Sequence, residues 1–118
     1  MRSIVTSHAV DAPRDGDCLA VSRSVTDALL AHGLAASSVT IAGWTDPEAK
    51  IIGFLHEVTV FDGFVLDGTA RQFSTDLPAA WIAPIEVYLR ELAAATDIDH
   101  ASFFPAQPPC QDRQLKSP

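Results

Sequence analysis

Asp62-Gly63 separates two apolar-rich runs, FLHEVTVF (Phe54–Phe61) and FVLD (Phe64–Asp67). An Asp-Gly pair between β-branched and aromatic runs favours a two-residue hairpin turn, because both central residues must take positive φ. The pair therefore predicts a hairpin and its register together. With a turn of these two residues alone, Val60 faces Val65, Val58 faces Asp67 and His56 faces Thr69. Opposed residues of an antiparallel pair project to the same side of the sheet. His56 and Asp67 then become diagonal neighbours on one face, their Cβ atoms roughly 7–8 Å apart or a little less, within reach of a carboxylate–imidazole hydrogen bond. A histidine oriented by a carboxylate is half of a catalytic triad, and the missing half is a nucleophile. The chain offers a well-placed candidate, Cys18.

Cys18 is the second residue of the segment DCLAVSRSVTDALLAHG. Val21, Val25, Ala28 and Leu29 recur at i, i+4, i+7 and i+8, the pattern of one buried helical face. Asp17 suits the N-cap, His32 the last turn and Gly33 the left-handed position beyond it, so a helix is predicted over Cys18–His32. Cys18 falls in its first turn. A thiol is nucleophilic as the thiolate, and the helix N-terminus favours that anion. Taken alone, a cysteine in this position is usually a small buried hydrophobe. The hairpin histidine and aspartate turn the reading toward a nucleophile.

The other segments are read more coarsely. Ser3–Val10 is expected as an edge strand from its Ile4, Val5, Ala9 and Val10, and Asp11–Asp17 as loop. Ser38–Trp44 alternates like a strand, Thr45–Lys50 turns at Asp46-Pro47, and the chain re-enters the sheet near Ile51. Thr69–Pro84 has no period and is expected as structured loop. Pro84 starts a helix reaching Ala95, with Ile85, Tyr88, Leu89 and Leu92 as its apolar stripe. Ile98–Phe104 is expected as a final short strand. His8, His32 and His100 have no spacing that suggests a site. The expected organisation is one domain over residues 1–104 and a mobile proline-rich tail over 105–118, which carries Cys110.

The sequence from Asp15 to Phe73 resembles the core of the papain-like and transglutaminase-like cysteine enzymes. The resemblance rests on GDCLAVSRSVTDALLAHGL, a following strand, and HEVTVFDGFVLDGTARQF. The family pattern is G-x-C at a helix start, a helix closing in G-[LI], a strand with H-x-x-[VW]-x, and a D-x-T on the next strand. The order of the motifs is preserved as well as their residues. The resemblance implies an α+β fold, in which an N-terminal nucleophile helix packs on a small antiparallel sheet and a second helix lies near the C-terminus. It assigns Cys18 as nucleophile, His56 as base and Asp67 as orienting acid. His56 is followed by Glu57 and Val58 where relatives usually carry an aromatic residue, and no glutamine stands just upstream of Cys18. The Cys18 backbone N–H is then one oxyanion donor and Gln72 the candidate for a second; Trp44 and Trp81 are candidate substrate contacts, or else core.

The implied activity is attack of a thiolate on an amide carbon, giving a thioester that water hydrolyses, as in a peptidase or glutamine deamidase. An amine acceptor instead of water would make a transglutaminase-like acyltransferase. A catalytically inactive binding module on the same fold is the reading from another class. Zinc held by a cysteine, a histidine and an aspartate is disfavoured because paired short-spaced ligands such as C-x-x-C are missing, so no metal and no cofactor is expected. A formal charge of −7 on 118 residues, 47% of them hydrophobic, argues against nucleic-acid or anionic-membrane partners. No apolar run approaches the roughly 20 residues of a membrane span. The expected partner is a peptide or protein amide, with a second protein completing the substrate site as an option, and the expected location is the cytoplasm.

Overall fold

The computed structural model describes residues 1–14, 16–46, 51–96 and 100–105; for 44–46, 51–54 and 100–105 only the backbone is described. The tail with Cys110 and most of the turn after Asp46 lie outside these residues. The elements in chain order are α1 (Arg2–His8), α2 (Asp17–Ala31), β1 (Ser37–Asp46), β2 (Ile51–Phe61), β3 (Phe64–Asp67), a 3-10 turn (Ala70–Gln72), β4 (Trp81–Pro84), α3 (Ile85–Thr96) and β5 (His100–Pro105). The strands form one five-stranded sheet in the order β4-β3-β2-β1-β5, with every neighbouring pair antiparallel.

The predicted hairpin forms with the predicted register. Phe61, Val60 and Thr59 pair with Phe64, Val65 and Leu66. Asp62 and Gly63 take φ values of 53° and 81°, the positive pair that a twisted two-residue turn requires. Helix α2 also forms where its period places it. It starts at Asp17 after Gly16 in the left-handed conformation, so Asp17 is the first helical residue rather than the cap. The Asp17 side chain instead turns back to accept the Arg14 backbone N–H at 2.8 Å. At the other end His32 is the C-cap, its Nδ1 2.9 Å from the Ala28 carbonyl, and Gly33 has φ 80°.

Two expectations change. The segment expected as an edge strand, Ser3–Val10, is helical over Arg2–His8. As a helix it drives Val5 to zero exposure among Val25, Leu29 and Leu66, and that packing outweighs the modest β preference of Ile4 and Val5. The segment expected as loop contains β4, four residues pairing Trp81 with Asp67 and Pro84 with Phe64. It is a sheet edge, the place in a sheet where a proline without N–H is tolerated.

Strand alternation divides the interior into two layers. On one face α1 and α2 cover Leu66, with Val5, Val25, Leu29 and Ala36 filling the space. On the other face α3 brings Tyr88 and Leu92 onto Ile41, Val58, Val65, Trp81 and Ala83. Fully burying each of the large aliphatic side chains contributes about 1.5–3 kcal/mol relative to exposure. Within the α2 layer a chain of hydroxyls replaces part of the hydrocarbon. Thr26 Oγ1 lies 2.9 Å from Ser38 Oγ and 2.8 Å from Thr59 Oγ1, and Thr59 donates to the Ser22 carbonyl at 2.9 Å. These bonds fix the height of α2 over β2. No helix among the described residues is long and apolar enough to cross a membrane.

Candidate active site

His56 shares its side of β2 with Val58, the side facing α3, and is fully buried. Asp67 ends β3 on the same side, 1% exposed. Because the register is the predicted one, the diagonal contact forms: His56 Nε2 and Asp67 Oδ2 are 2.9 Å apart. Asp67 is held by more than the histidine. Its Oδ1 accepts the Thr69 backbone N–H at 2.8 Å, with the Thr69 hydroxyl at 3.4 Å, which closes a local turn. The Tyr88 hydroxyl, from α3, donates to Oδ2 at 2.6 Å. Trp81 backs Tyr88, with ring centroids 4.4 Å apart, and Phe73 meets the edge of the His56 ring at 4.7 Å.

Cys18 comes from the opposite layer, and the early end of β3 lets it in. In a two-residue hairpin the residues flanking the turn exchange backbone hydrogen bonds, and so does every second residue beyond them. Phe61 and Thr59 therefore point their N–H groups toward β3, and Glu57 does the same. Its partner at this register would be Gly68, but the ladder stops at Leu66 and the Gly68 carbonyl accepts Val10 N–H at 2.9 Å. The Glu57 N–H is left toward the Cys18 sulfur instead, where it favours the thiolate. The first turns of α2 settle there because Gly68 has no side chain: a Cβ at that position would stand 2.8 Å from Val21 Cγ1 and 3.3 Å from the Ala9 Cα.

The thiol and the imidazole lie near enough for each to shift the other's charge. With Nε2 given to Asp67, Nδ1 is the nitrogen left for the sulfur, and in this structure it makes no well-formed hydrogen bond, to the sulfur or to any other group. Such nucleophile–base contacts are often loosely aligned until substrate is present. Burial pushes the Cys18 thiol up, but the loosely aligned His56 contact, the Glu57 N–H and the imidazolium charge outweigh it and hold the thiol below its usual range, against some opposition from the Glu57 carboxylate. Burial also pushes His56 down, yet the Asp67 charge and hydrogen bond, then Cys18, bring it up to about 9. Asp67 is pushed up by burial and pulled down further by His56, Tyr88 and Thr69, ending below the usual carboxylate range. The arrangement favours thiolate, imidazolium and carboxylate in a row.

Among the described residues, the other sequence candidates make no side-chain hydrogen bond to Cys18, His56 or Asp67. Trp81 is 8% exposed and packs behind Asp67 on Tyr88, a wall of the core rather than a surface beside the thiol. Gln72 is half-buried in the 3-10 turn, with Oε1 buried and unpartnered, and no hydrogen bond joins it to Cys18 or His56. The side chain of Trp44 lies outside the described residues. Among the described residues no group of three potential metal ligands surrounds a common point. Tyr88 is the partner of Asp67 that the sequence pattern placed in a plain apolar stripe. Its signal was chemical: a tyrosine in the middle of a buried stripe needs a partner for its hydroxyl.

No family model matches the chain, and no curated protein sequence matches it. Among solved structures, the C-terminal region of Pasteurella multocida toxin superposes with a TM-score of 0.67 and 20% identity over 95% of this chain. The chain corresponds to 17% of that chain's length. The toxin region is described as having a thiol-protease-like catalytic triad. At this identity the likeness carries the fold alone: the chain shares the α+β architecture of that toxin region.

Proposed function

We propose that the chain is a cysteine-dependent amide hydrolase acting through a thioester, with Cys18 as nucleophile, His56 as general base and acid, and Asp67 as the group that orients and charges the imidazole. The observation that carries this reading is the fully enclosed His56–Asp67 hydrogen bond, with the Cys18 thiol near enough to His56 for each to shift the other's charge. The similar toxin region, with its thiol-protease-like triad, supports it.

In the proposed cycle the Cys18 proton passes to His56 Nδ1 and the thiolate attacks the amide carbon. The oxyanion forms near the Cys18 backbone N–H, which lies in the first turn of α2, where helical carbonyls leave amides unpartnered. His56 then gives its proton to the departing nitrogen, the C–N bond breaks, and a thioester remains. Water, deprotonated by His56, attacks the thioester and releases acid and thiol. Asp67 keeps the Nε2 proton in place, so that Nδ1 is the nitrogen that exchanges protons. The substrate class is a peptide or protein amide, either a backbone bond or a glutamine carboxamide.

The test is turnover of a mixed peptide library containing internal glutamine, with released ammonia and new N-termini read separately by mass spectrometry. Wild type should yield one or the other, and Cys18→Ala neither. Hydroxylamine added to the reaction should divert product to hydroxamate, the mark of an intercepted thioester; an added amine captured in preference to water would instead indicate acyl transfer. Turnover that persists in Cys18→Ala overturns the proposal.

A further inference from the structure

We propose that Tyr88 is a positioning residue of this site: its hydroxyl shares Asp67 Oδ2 with His56, fixing the carboxylate and limiting its pull on the imidazolium. The inference rests on the thiol–imidazole reading above and adds a member to it. The ordinary alternative is a core tyrosine that merely satisfies its hydroxyl. Three observations favour the active role.

The first is the choice of acceptor. Asp67 has two oxygens, and Tyr88 donates to the one that His56 uses, at 2.6 Å against 2.9 Å. The second is geometry. Thr69 holds Oδ1 from the segment after β3, His56 holds Oδ2 from β2, and Tyr88 holds it from α3. Donors from three directions leave the carboxylate no rotation, so the His56 Nε2 proton has one destination. The third is confinement. Tyr88 and His56 are fully buried, and Trp81 lies against the Tyr88 ring, so the hydroxyl has no water to turn toward.

The consequence is chemical. In a dry site a carboxylate with few donors binds the imidazolium strongly, and the imidazolium then gives its proton reluctantly to a leaving nitrogen. A phenol on the same oxygen withdraws part of that charge. Tyr88 thereby favours proton release in the step where the amide nitrogen departs. Its own ionisation does not compete, because burial and the neighbouring carboxylate raise the phenol well above its usual range.

The chain has a single tyrosine, so 3-fluorotyrosine supplied during expression enters at position 88 alone and provides a stronger donor of nearly the same shape. Tyr88→Phe removes the donor and keeps the ring. The readout is the His56 ring-proton titration by NMR, assigned by its absence in His56→Ala, alongside the pH profile of Cys18 alkylation. Neither needs a substrate, so the outcome is separate from whether amide turnover is found. The alkaline limb of His56 should move up in Tyr88→Phe by about half a pH unit, roughly threefold in the proton equilibrium, and move down with fluorotyrosine. Where turnover is measurable, kcat should fall several-fold in Tyr88→Phe with KM unchanged. If Tyr88→Phe does not fold, the fluorinated protein alone decides the sign. A His56 limb that stays at the same pH in every variant that folds reduces Tyr88 to a structural tyrosine and overturns the inference.

Discussion

Asp67→Asn offers the sharpest test of how the site is charged. The side chain keeps its size, but nothing it offers suits all three donors around it. With its oxygen toward His56 and Tyr88, the new NH₂ faces the Thr69 N–H, donor against donor where a 2.8 Å bond stood. With the amide turned over, NH₂ faces His56 Nε2, which must become the acceptor; the ring proton then moves to Nδ1, the nitrogen meant to take the thiol proton. Either way the carboxylate charge that opposes the burial of the ring is gone. His56 stands at about 9, against about 6.5 for a free imidazole; Asp67 supplies the larger share of the rise and Cys18 the rest. At about 1.4 kcal/mol per unit the rise represents roughly 3 kcal/mol, so losing most of it should lower the thiolate–imidazolium population on the order of 10²-fold. The assay is second-order alkylation of Cys18 by iodoacetamide between pH 5 and 10, with the modified peptide identified by mass spectrometry. The wild-type rate should rise below the ordinary thiol range, and the Asp67→Asn rate only near or above it. An unchanged profile in a folded Asp67→Asn protein would refute the electrostatic account of the site.

Further outcomes follow from the same geometry. Activity should be bounded on both sides in pH: kcat/KM rises as Cys18 ionises at its lowered value and falls as His56 loses its proton near 9, whereas alkylation does not fall on the alkaline side because it needs only thiolate. Gly68→Ala pushes a methyl group into Val21 and the Ala9 backbone; it should cost about 1–3 kcal/mol in urea unfolding and depress Cys18 alkylation more than an equally destabilising change in α3 does. Thr59→Val removes the donor to Ser22 and a partner of Thr26; a loss of about 1–2 kcal/mol is expected, with slower Cys18 alkylation, and an unaltered rate would show that the hydroxyl chain does not place α2.

The parts of this fold that could be read from sequence are those fixed by short-range geometry. Asp62-Gly63 admits few backbone shapes, and once the turn is set the His56–Asp67 contact follows by counting. Helix α2 was legible from the spacing of its valines and leucines and from Gly33. The missed parts depend on what lies across the molecule. Arg2–His8 is helical because one face of it lands on α2, a fact its seven residues do not contain. β4 is four residues long and ends in proline, too short for any alternation to show. At the site, Cys18 and His56 were legible as types, but not the way they meet across the sheet, because this depends on β3 stopping and on Gly68 giving its carbonyl to Val10. Tyr88 was hidden for the opposite reason: it satisfies the helical period so well that its hydroxyl drew no notice.

The hydroxyls between α2 and the sheet constrain any attempt to make this protein hardier. An oily seam there would tolerate sliding by fractions of an ångström with little change in energy, whereas the Thr26, Ser38 and Thr59 hydroxyls, anchored on the Ser22 carbonyl, accept one alignment and resist the rest. Replacing them together with well-packed valine and alanine is the kind of redesign that raises a melting temperature. In this molecule it would also release the rod that carries the sulfur, giving a sturdier protein with a blunter reagent at its tip.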